Sequence, residues 1–385
     1  MTYAFKHPLK RAFASVFDGL GGLFFRHAKR PAPAAPKTLL VLRADQIGDV
    51  AFAEPFLRAL KTRFAGARIV LVTTPAGKEL LGSAGAADEL IAFEAPWFRY
   101  PSNFFADLGG FSALARIMKT ADADAVIDLR GDVRHILAAA WGSPRSWRAG
   151  FGRTGGRFLL DAEPAYDPRA HAAERNFIFL ECFGPGGAGR PAAIEISPRI
   201  AASPLPDELK TLLPVKTRRR VALHAGAGAS SKEWPDAHWI LLARALARWD
   251  AEFFWIGDAP ARDKTRRILA ALSDIRERFT DLTNRLPLGA LGTFFDACDL
   301  LVSGDSGPVH VAASRKLKTL VLFSGANELF EWKPLSRAAE MIYHEVPCSP
   351  CHERVCPKPR HYCMEDLTPE TAIAAAELMV NKKWK

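Results

Sequence analysis

A chain of 385 residues, 49% of them hydrophobic, has the length for two α/β domains with ordinary cores. It contains no uninterrupted apolar run of roughly 18 residues, which excludes an obvious spanning helix. The net charge of +10, from 52 basic and 42 acidic residues, calls for an anionic partner such as phosphates or an acidic membrane surface. No recognised nucleic-acid module is present and the positive charge is spread out, so nucleic acid is not expected.

Residues 1–30 place Phe5, Leu9, Phe13, Val16, Phe17, Leu20, Leu23 and Phe24 at spacings of three and four, an apolar helical stripe. Lys6, Lys10, Arg11, Arg26, Lys29 and Arg30 surround it, against the single acid Asp18. Such a basic amphipathic helix either lies in a membrane interface or packs on the first domain with its basic ends exposed. Gly21-Gly22 is expected to interrupt it, and Pro31-Ala-Pro-Ala-Ala-Pro36 reads as a stiff linker. No stretch here looks like a secretory signal, so a cytoplasmic location is expected.

Apolar runs at 38–43, 68–73, 90–93, 125–129 and 147–151 read as strands, with helices at 51–64 and from 133 onward. The interval 184–217 is rich in Gly and Pro and marks the approach to a domain boundary. A second series then begins, with strands at 220–224, 252–256, 298–303 and 319–323. A helix at 235–249 lies within it, and a final helix at 368–382 is capped by Thr368 with Pro369 first. Strands alternating with helices imply parallel βαβ units. The expected divisions are an N-terminal extension and linker at 1–37, one domain at 38–205, a second at 206–345, and a Cys-rich segment with the last helix at 346–385.

Three turns fall at strand carboxyl ends, where open α/β sheets bind ligands. In Ser303-Gly-Asp-Ser-Gly-Pro-Val-His310, Ser306 or Gly307 would cap a helix that begins at Pro308, presenting backbone N–H groups and a dipole end to an anion. In His224-Ala-Gly-Ala-Gly-Ala-Ser-Ser-Lys232, Gly226 and Gly228 allow close approach to the backbone. Ser230 and Ser231 offer hydroxyls there, and Lys232 offers a charge. In Asp45-Gln-Ile-Gly-Asp-Val50, Asp49 is either a general base or a helix N-cap. No P-loop and no G-x-G-x-x-G after the first strand occur, which argues against those nucleotide-binding types. Asp122-Ala-Asp124 matches a D-x-D string but precedes a strand, and no metal is assigned to it. The six cysteines include four in Cys348-x2-Cys351-x4-Cys356-x6-Cys363. These can hold a structural zinc, with His352 or His361 as substitute ligands, can form disulfides, or can remain free thiols. Cys182 and Cys298 read as core thiols.

Val41-Leu-Arg-Ala-Asp-Gln-Ile-Gly-Asp-Val50 with Glu54-Pro55 and Leu57-Arg-Ala-Leu60 resembles the first motif of the lipopolysaccharide heptosyltransferases, glycosyltransferase family 9. The 224–235 and 303–310 stretches resemble that family's donor-side motifs, and Trp332-Lys-Pro334 and Cys348-Ser-Pro-Cys351 also occur in many members. The resemblance implies a GT-B fold: two Rossmann-like domains with parallel sheets facing a central cleft. It implies an inverting, metal-independent transfer of heptose or a related sugar from an ADP-sugar to a lipopolysaccharide-core or similar lipid-linked glycan, at the inner face of the cytoplasmic membrane. No cofactor is then required for catalysis. Motif by motif, Asp49 falls on the catalytic base and Lys232 on the lysine facing the donor phosphates. Asp305, Ser306, Gly307 and His310 fall on the donor signature. The turn at 226–229 lacks the family's usual hydroxyls and the N-terminal extension is additional, so another nucleotide sugar and surface glycan remain open. A sugar-nucleotide epimerase on the same fold and a non-catalytic surface-binding protein are the competing classes.

Overall fold

The computed structural model describes residues 3, 7–25, 28–98, 103–184, 196–213 and 215–381. The expectations that fell on Phe5, Lys6, Arg26, Pro185, Pro191, Pro214 and Lys382 lie outside them. The chain forms two units, Met1–Ile196 and Ser197–Lys385.

The first unit opens with helix α1 (Pro8–Phe24). Gly21-Gly22 does not interrupt it. Gly21 lies so close to the Phe158 ring that a Cβ there would collide with it, and this packing offsets the helix penalty of glycine. Five strands follow: β1 (Thr38–Arg43), β2 (Arg68–Thr73), β3 (Glu89–Ala92), β4 (Ala125–Asp128) and β5 (Trp147–Gly150). All pair in parallel, in the order β3-β2-β1-β4-β5. Leu39, Leu40, Val41 and Leu42 are fully or almost fully buried, as a central parallel strand covered on both faces requires.

The helix expected at 51–64 is two helices, α2 (Ile47–Ala51) and α3 (Glu54–Arg63). Pro55 cannot donate the N–H that a continuous helix would direct to Ala51. The Phe52 carbonyl left in the break accepts from Asn176 Nδ2 at 3.0 Å. The remaining helices that shape this unit are α4 (Pro75–Leu81), α5 (Phe104–Ala121) and α6 (Val133–Gly142). Asp124, from the D-x-D string, accepts the backbone N–H groups of Lys37 at 2.6 Å and Thr38 at 2.9 Å. It fixes the start of β1.

The second unit has six parallel strands: β6 (Arg219–His224), β7 (Ala251–Trp255), β8 (Phe279–Asp281), β9 (Leu300–Gly304), β10 (Thr319–Phe323) and β11 (Ala339–Tyr343). Their order is β11-β10-β9-β6-β7-β8. Trp234, Trp239 and Trp255 stack edge to face through its core, at centroid distances of 5.2 and 5.7 Å. The division falls at 196/197, ahead of the expected 205/206. The leading residues are tied into the second unit: Ser197 Oγ donates to Leu335 O at 2.9 Å and Ser203 N to Gly289 O at 3.0 Å.

The Cys-rich segment is part of this unit rather than an appendage. Cys351 N donates to Gly325 O at 3.0 Å and His352 N to Ala326 O at 2.9 Å. Cys363, Met364 and Leu367 enter the core, with the helix Pro369–Asn381 behind them. Thr368 Oγ1 accepts from Thr371 N at 3.4 Å, in line with the expected cap.

Candidate functional site

In each unit the strand order reverses direction once, between β1 and β4 and between β6 and β9. Loops leaving such a pair diverge to opposite faces, so the carboxyl ends of the pair leave room for a ligand. Both switch points carry concentrated polar chemistry.

In the second unit, His224↔Ser303 is the last register pair of β6 and β9. His224 Nδ1 is 3.0 Å from Ser303 Oγ and 3.1 Å from Ser306 Oγ. Burial pushes the imidazole down to about 4, against a small opposing pull from Asp258. The ring is therefore neutral at physiological pH and acts as a hydrogen-bonding strut between the two turns. Beyond it, Lys232 Nζ stands 2.8 Å from Asp305 Oδ2, which also accepts from Asn327 Nδ2 at 3.0 Å. Asp305 is buried and Lys232 half-buried. Ser306 is the N-cap of the helix Gly307–Ser314, with Pro308 in its first turn, but no side chain caps that turn. A helix of this kind presents its N-terminal dipole to an anion. His310 is buried on the same helix.

The turn after β6 is held from two sides. Lys264, itself buried, donates to Trp234 O at 2.9 Å and pairs with Glu233 and Asp236. Ser231 N and Ser230 Oγ donate to Arg354 O at 3.1 and 3.2 Å, Ser231 Oγ donates to Glu353 O, and Arg354 reaches Gly228 O at 3.2 Å. The hydroxyls expected to meet phosphate thus fasten the Cys-rich segment over the turn. Gly226 is required by contact: a Cβ there would lie 2.8 Å from Ala261 Cβ and 3.1 Å from His224 Nε2.

Cys348, Cys351, Cys356 and Cys363 line one small cavity of about 30 Å³ together with His361. All four are free thiols. Burial, with the neighbouring thiols adding to it, pushes Cys363 up from its ordinary range. The structural zinc expected from these four cysteines finds no support. Among the described residues no three His, Cys, Asp or Glu side chains form a group that could hold a metal ion. Cys363 is drawn into the core beside Met364, whereas Cys348 stays exposed.

In the first unit, Asp49 lies in the first turn of α2 and is not its cap, a position held by Gln46. Its Oδ1 is paired with Arg43, which also contacts Asp45 at 3.3 Å and donates to Leu129 O at 2.8 Å. Arg43 therefore orients the carboxylate through one oxygen. Around β4, Asp128 accepts the N–H groups of Arg130, Gly131 and Asp132 at 2.9 to 3.1 Å and closes that turn. The turn presents Arg130, which pairs with Asp45 and lies 3.8 Å over the Phe98 ring. Burial, then the neighbouring Arg43, Arg134 and Arg153, push the Arg130 guanidinium down to about 10, against the pull of Asp132. Arg134 forks onto Asp132 at 2.7 and 2.8 Å and sits over Trp97 and Phe98.

Arg130-Gly-Asp132 matches no motif in the sequence. Its Arg-on-aromatic shelf depends on Trp97 and Phe98, distant in sequence. Asn327 and Lys264 carry no local sequence signal for the contacts they make with Asp305 and with the turn after β6.

Two all-parallel sheets, each with its polar turns at the switch point, form the α/β architecture of GT-B glycosyltransferases. A solved structure of Escherichia coli ADP-heptose lipopolysaccharide heptosyltransferase II superposes with a TM-score of 0.70 over 89% of this chain and 98% of that one, at 21% identity. The description "Glycosyltransferase family 9 (heptosyltransferase)" matches residues 111–361, well over half of the chain. The chain belongs to glycosyltransferase family 9. It is 29% identical over 179 residues to lipooligosaccharide heptosyltransferase 2 of Campylobacter jejuni, covering 45% of this chain and 56% of that protein. It is 29% identical over 138 residues to lipopolysaccharide heptosyltransferase 1 of Pseudomonas aeruginosa, covering 35% and 37%. The chain thus spans about half or less of the length of the curated relatives it matches.

Proposed function

We propose that this chain is an inverting, metal-independent glycosyltransferase. It would move a heptose from an ADP-activated donor to a glycan of the lipopolysaccharide-core type, carried on a lipid at the membrane surface. The observation that carries the reading is the Lys232–Asp305–Asn327 group beside the uncapped helix Gly307–Ser314, in a chain of this family.

Direct displacement at a sugar carbon needs a base for the acceptor hydroxyl and neutralisation of the departing diphosphate. Asp49, held through one oxygen by Arg43, is the base in this reading. Lys232, the backbone around Gly226, and the helix start at Ser306 and Gly307 take up the diphosphate charge. Asp305 accepts from donor hydroxyls, and buried His310 backs the helix. Ser230 and Ser231 serve indirectly, by fixing the turn. The Arg130 and Arg134 guanidinium groups, backed by aromatic faces, suit an acceptor rich in phosphate or carboxylate.

The test is calorimetric binding of ADP, GDP, UDP and CDP with EDTA present, followed by ADP-heptose turnover on a deacylated core oligosaccharide. Preference for ADP with transfer and anomeric inversion supports the reading. Preference for another base moves the donor within the family. Folded protein that binds none of the four overturns it.

A further inference from the structure

Helix α1 is pinned to its unit by one face only. Asp18, its single acid, is turned inward, where its Oδ1 accepts the N–H groups of Gly156 at 2.6 Å and Arg157 at 3.1 Å. Phe17 meets Phe158 edge on at 5.5 Å, and Gly21 closes against the same ring. Just past the helix, Arg30 enters an ion pair with Asp161 at 2.9 Å.

The neighbouring face, turned by roughly 120°, is what a packed helix should not show. Leu9, Phe13, Val16, Leu20, Leu23 and Phe24 are between 49% and 79% exposed. At about 100° per residue they form one stripe roughly 100° wide, rotated away from Ala14, Phe17 and Gly21. Single exposed apolar residues are ordinary, but a contiguous stripe of six marks an interaction surface. Both ends are basic, with Lys10 and Arg11 in the first turns and Lys29 beyond the last. No helix among the described residues is long and apolar enough to cross a membrane.

We propose that α1 docks this protein on an anionic phospholipid bilayer, lying in the plane of the interface with the stripe buried at the boundary between the headgroups and the acyl chains. The pinned face fixes the direction in which the stripe points, so the attached unit is held in one orientation on the surface. Charge selects this occupant over a second copy of the chain: pairing two stripes would bring together two basic helices whose single acid, Asp18, is already engaged inward, whereas an anionic surface complements them. The proposal stands on the helix alone and does not depend on the transferase reading.

The experiment is co-sedimentation of the full chain with vesicles of phosphatidylcholine alone or mixed with phosphatidylglycerol. Binding is expected to be roughly tenfold stronger on the anionic vesicles and to weaken in high salt. Phe13→Ser, Leu20→Ser and Phe24→Ser together should cost at least about tenfold in binding, with the melting temperature unchanged, because none of the three holds Phe158 or Asp18. In a separate Phe13→Trp variant, bromolipids should quench the indole. Failure of the native chain to bind anionic vesicles, or equal binding by the triple variant, overturns the proposal. So does a concentration-dependent dimer that the triple variant abolishes while vesicles stay unbound. Turnover on the deacylated acceptor needs no bilayer, so it separates this failure from failure of the proposed activity.

Discussion

Lys232 and Asp305 come from turns after neighbouring strands, yet their charged atoms stand 2.8 Å apart, with Asp305 buried. In the proposed reading the pair has a structural role and a donor-binding role, and the two can be separated. Lys232→Ala would leave a buried carboxylate with Asn327 as its remaining hydrogen-bond partner, at a cost of about 3 kcal/mol. Turnover should fall by roughly 10²–10³, the scale of losing one charge-stabilising donor. Adding Asp305→Asn removes the orphaned charge. The double variant should regain most of the urea-unfolding free energy and none of the turnover. Recovery of both would make Lys232 a structural residue only.

Asp49 offers the converse case. Arg43 keeps its contacts to Asp45 and to Leu129 O when Asp49 changes. The Arg43–Asp49 pair is largely buried, but because Arg43 keeps those partners, Asp49→Asn should cost about 1–2 kcal/mol, less than a buried charge left with no partner. If Asp49 takes the acceptor proton, kcat should fall by roughly 10²–10⁴ while ADP affinity is unchanged. Full activity in this variant would remove the base assignment.

These two groups also show what the sequence can disclose. Strands β1, β2, β6, β9 and β10 are apolar on both faces, so uninterrupted runs betray them, and the turns that follow inherit their positions. Edge strands β8 and β11 escape, because Phe279–Asp281 is short and Ala339–Tyr343 is half-exposed with no apolar alternation. Lys232 is legible from its turn, but it meets Asp305, and Asp305 meets Asn327, only once β6, β9 and β10 lie side by side. The same holds for Ser230 and Ser231: the carbonyls they reach belong to residues 353 and 354, and no local pattern connects the two stretches.

Gly226 gives a packing prediction. Gly226→Val would drive a branched side chain against Ala261 Cβ and the His224 ring. The expected loss is about 1–3 kcal/mol, as for other overpacked sites, with weaker nucleotide binding because the β6 turn must shift. Ala261→Gly in the same chain should return part of the stability. The coupling in the double-mutant cycle is the measurement, and strictly additive effects would place the strain elsewhere.

His224 makes stability depend on pH in a definite direction. Its folded value is pushed down to about 4 from an ordinary 6.5 by burial. Between those values the unfolded chain binds a proton that the folded chain does not, so this residue's contribution to stability declines as pH falls from 6.5 towards 4 and changes little above 6.5. At pH 5 the decline amounts to roughly 2 kcal/mol. His224→Gln keeps a polar side chain beside Ser303 and Ser306 without a titrating ring. Its unfolding free energy will be lower at neutral pH, because the strut is imperfect, but should fall less steeply on acidification than that of the native chain. Urea midpoints at pH 7, 6 and 5 for both proteins give the two slopes. Equal slopes would mean that His224 takes up its proton in the folded state, and the neutral strut joining the turns after β6 and β9 would have to be abandoned.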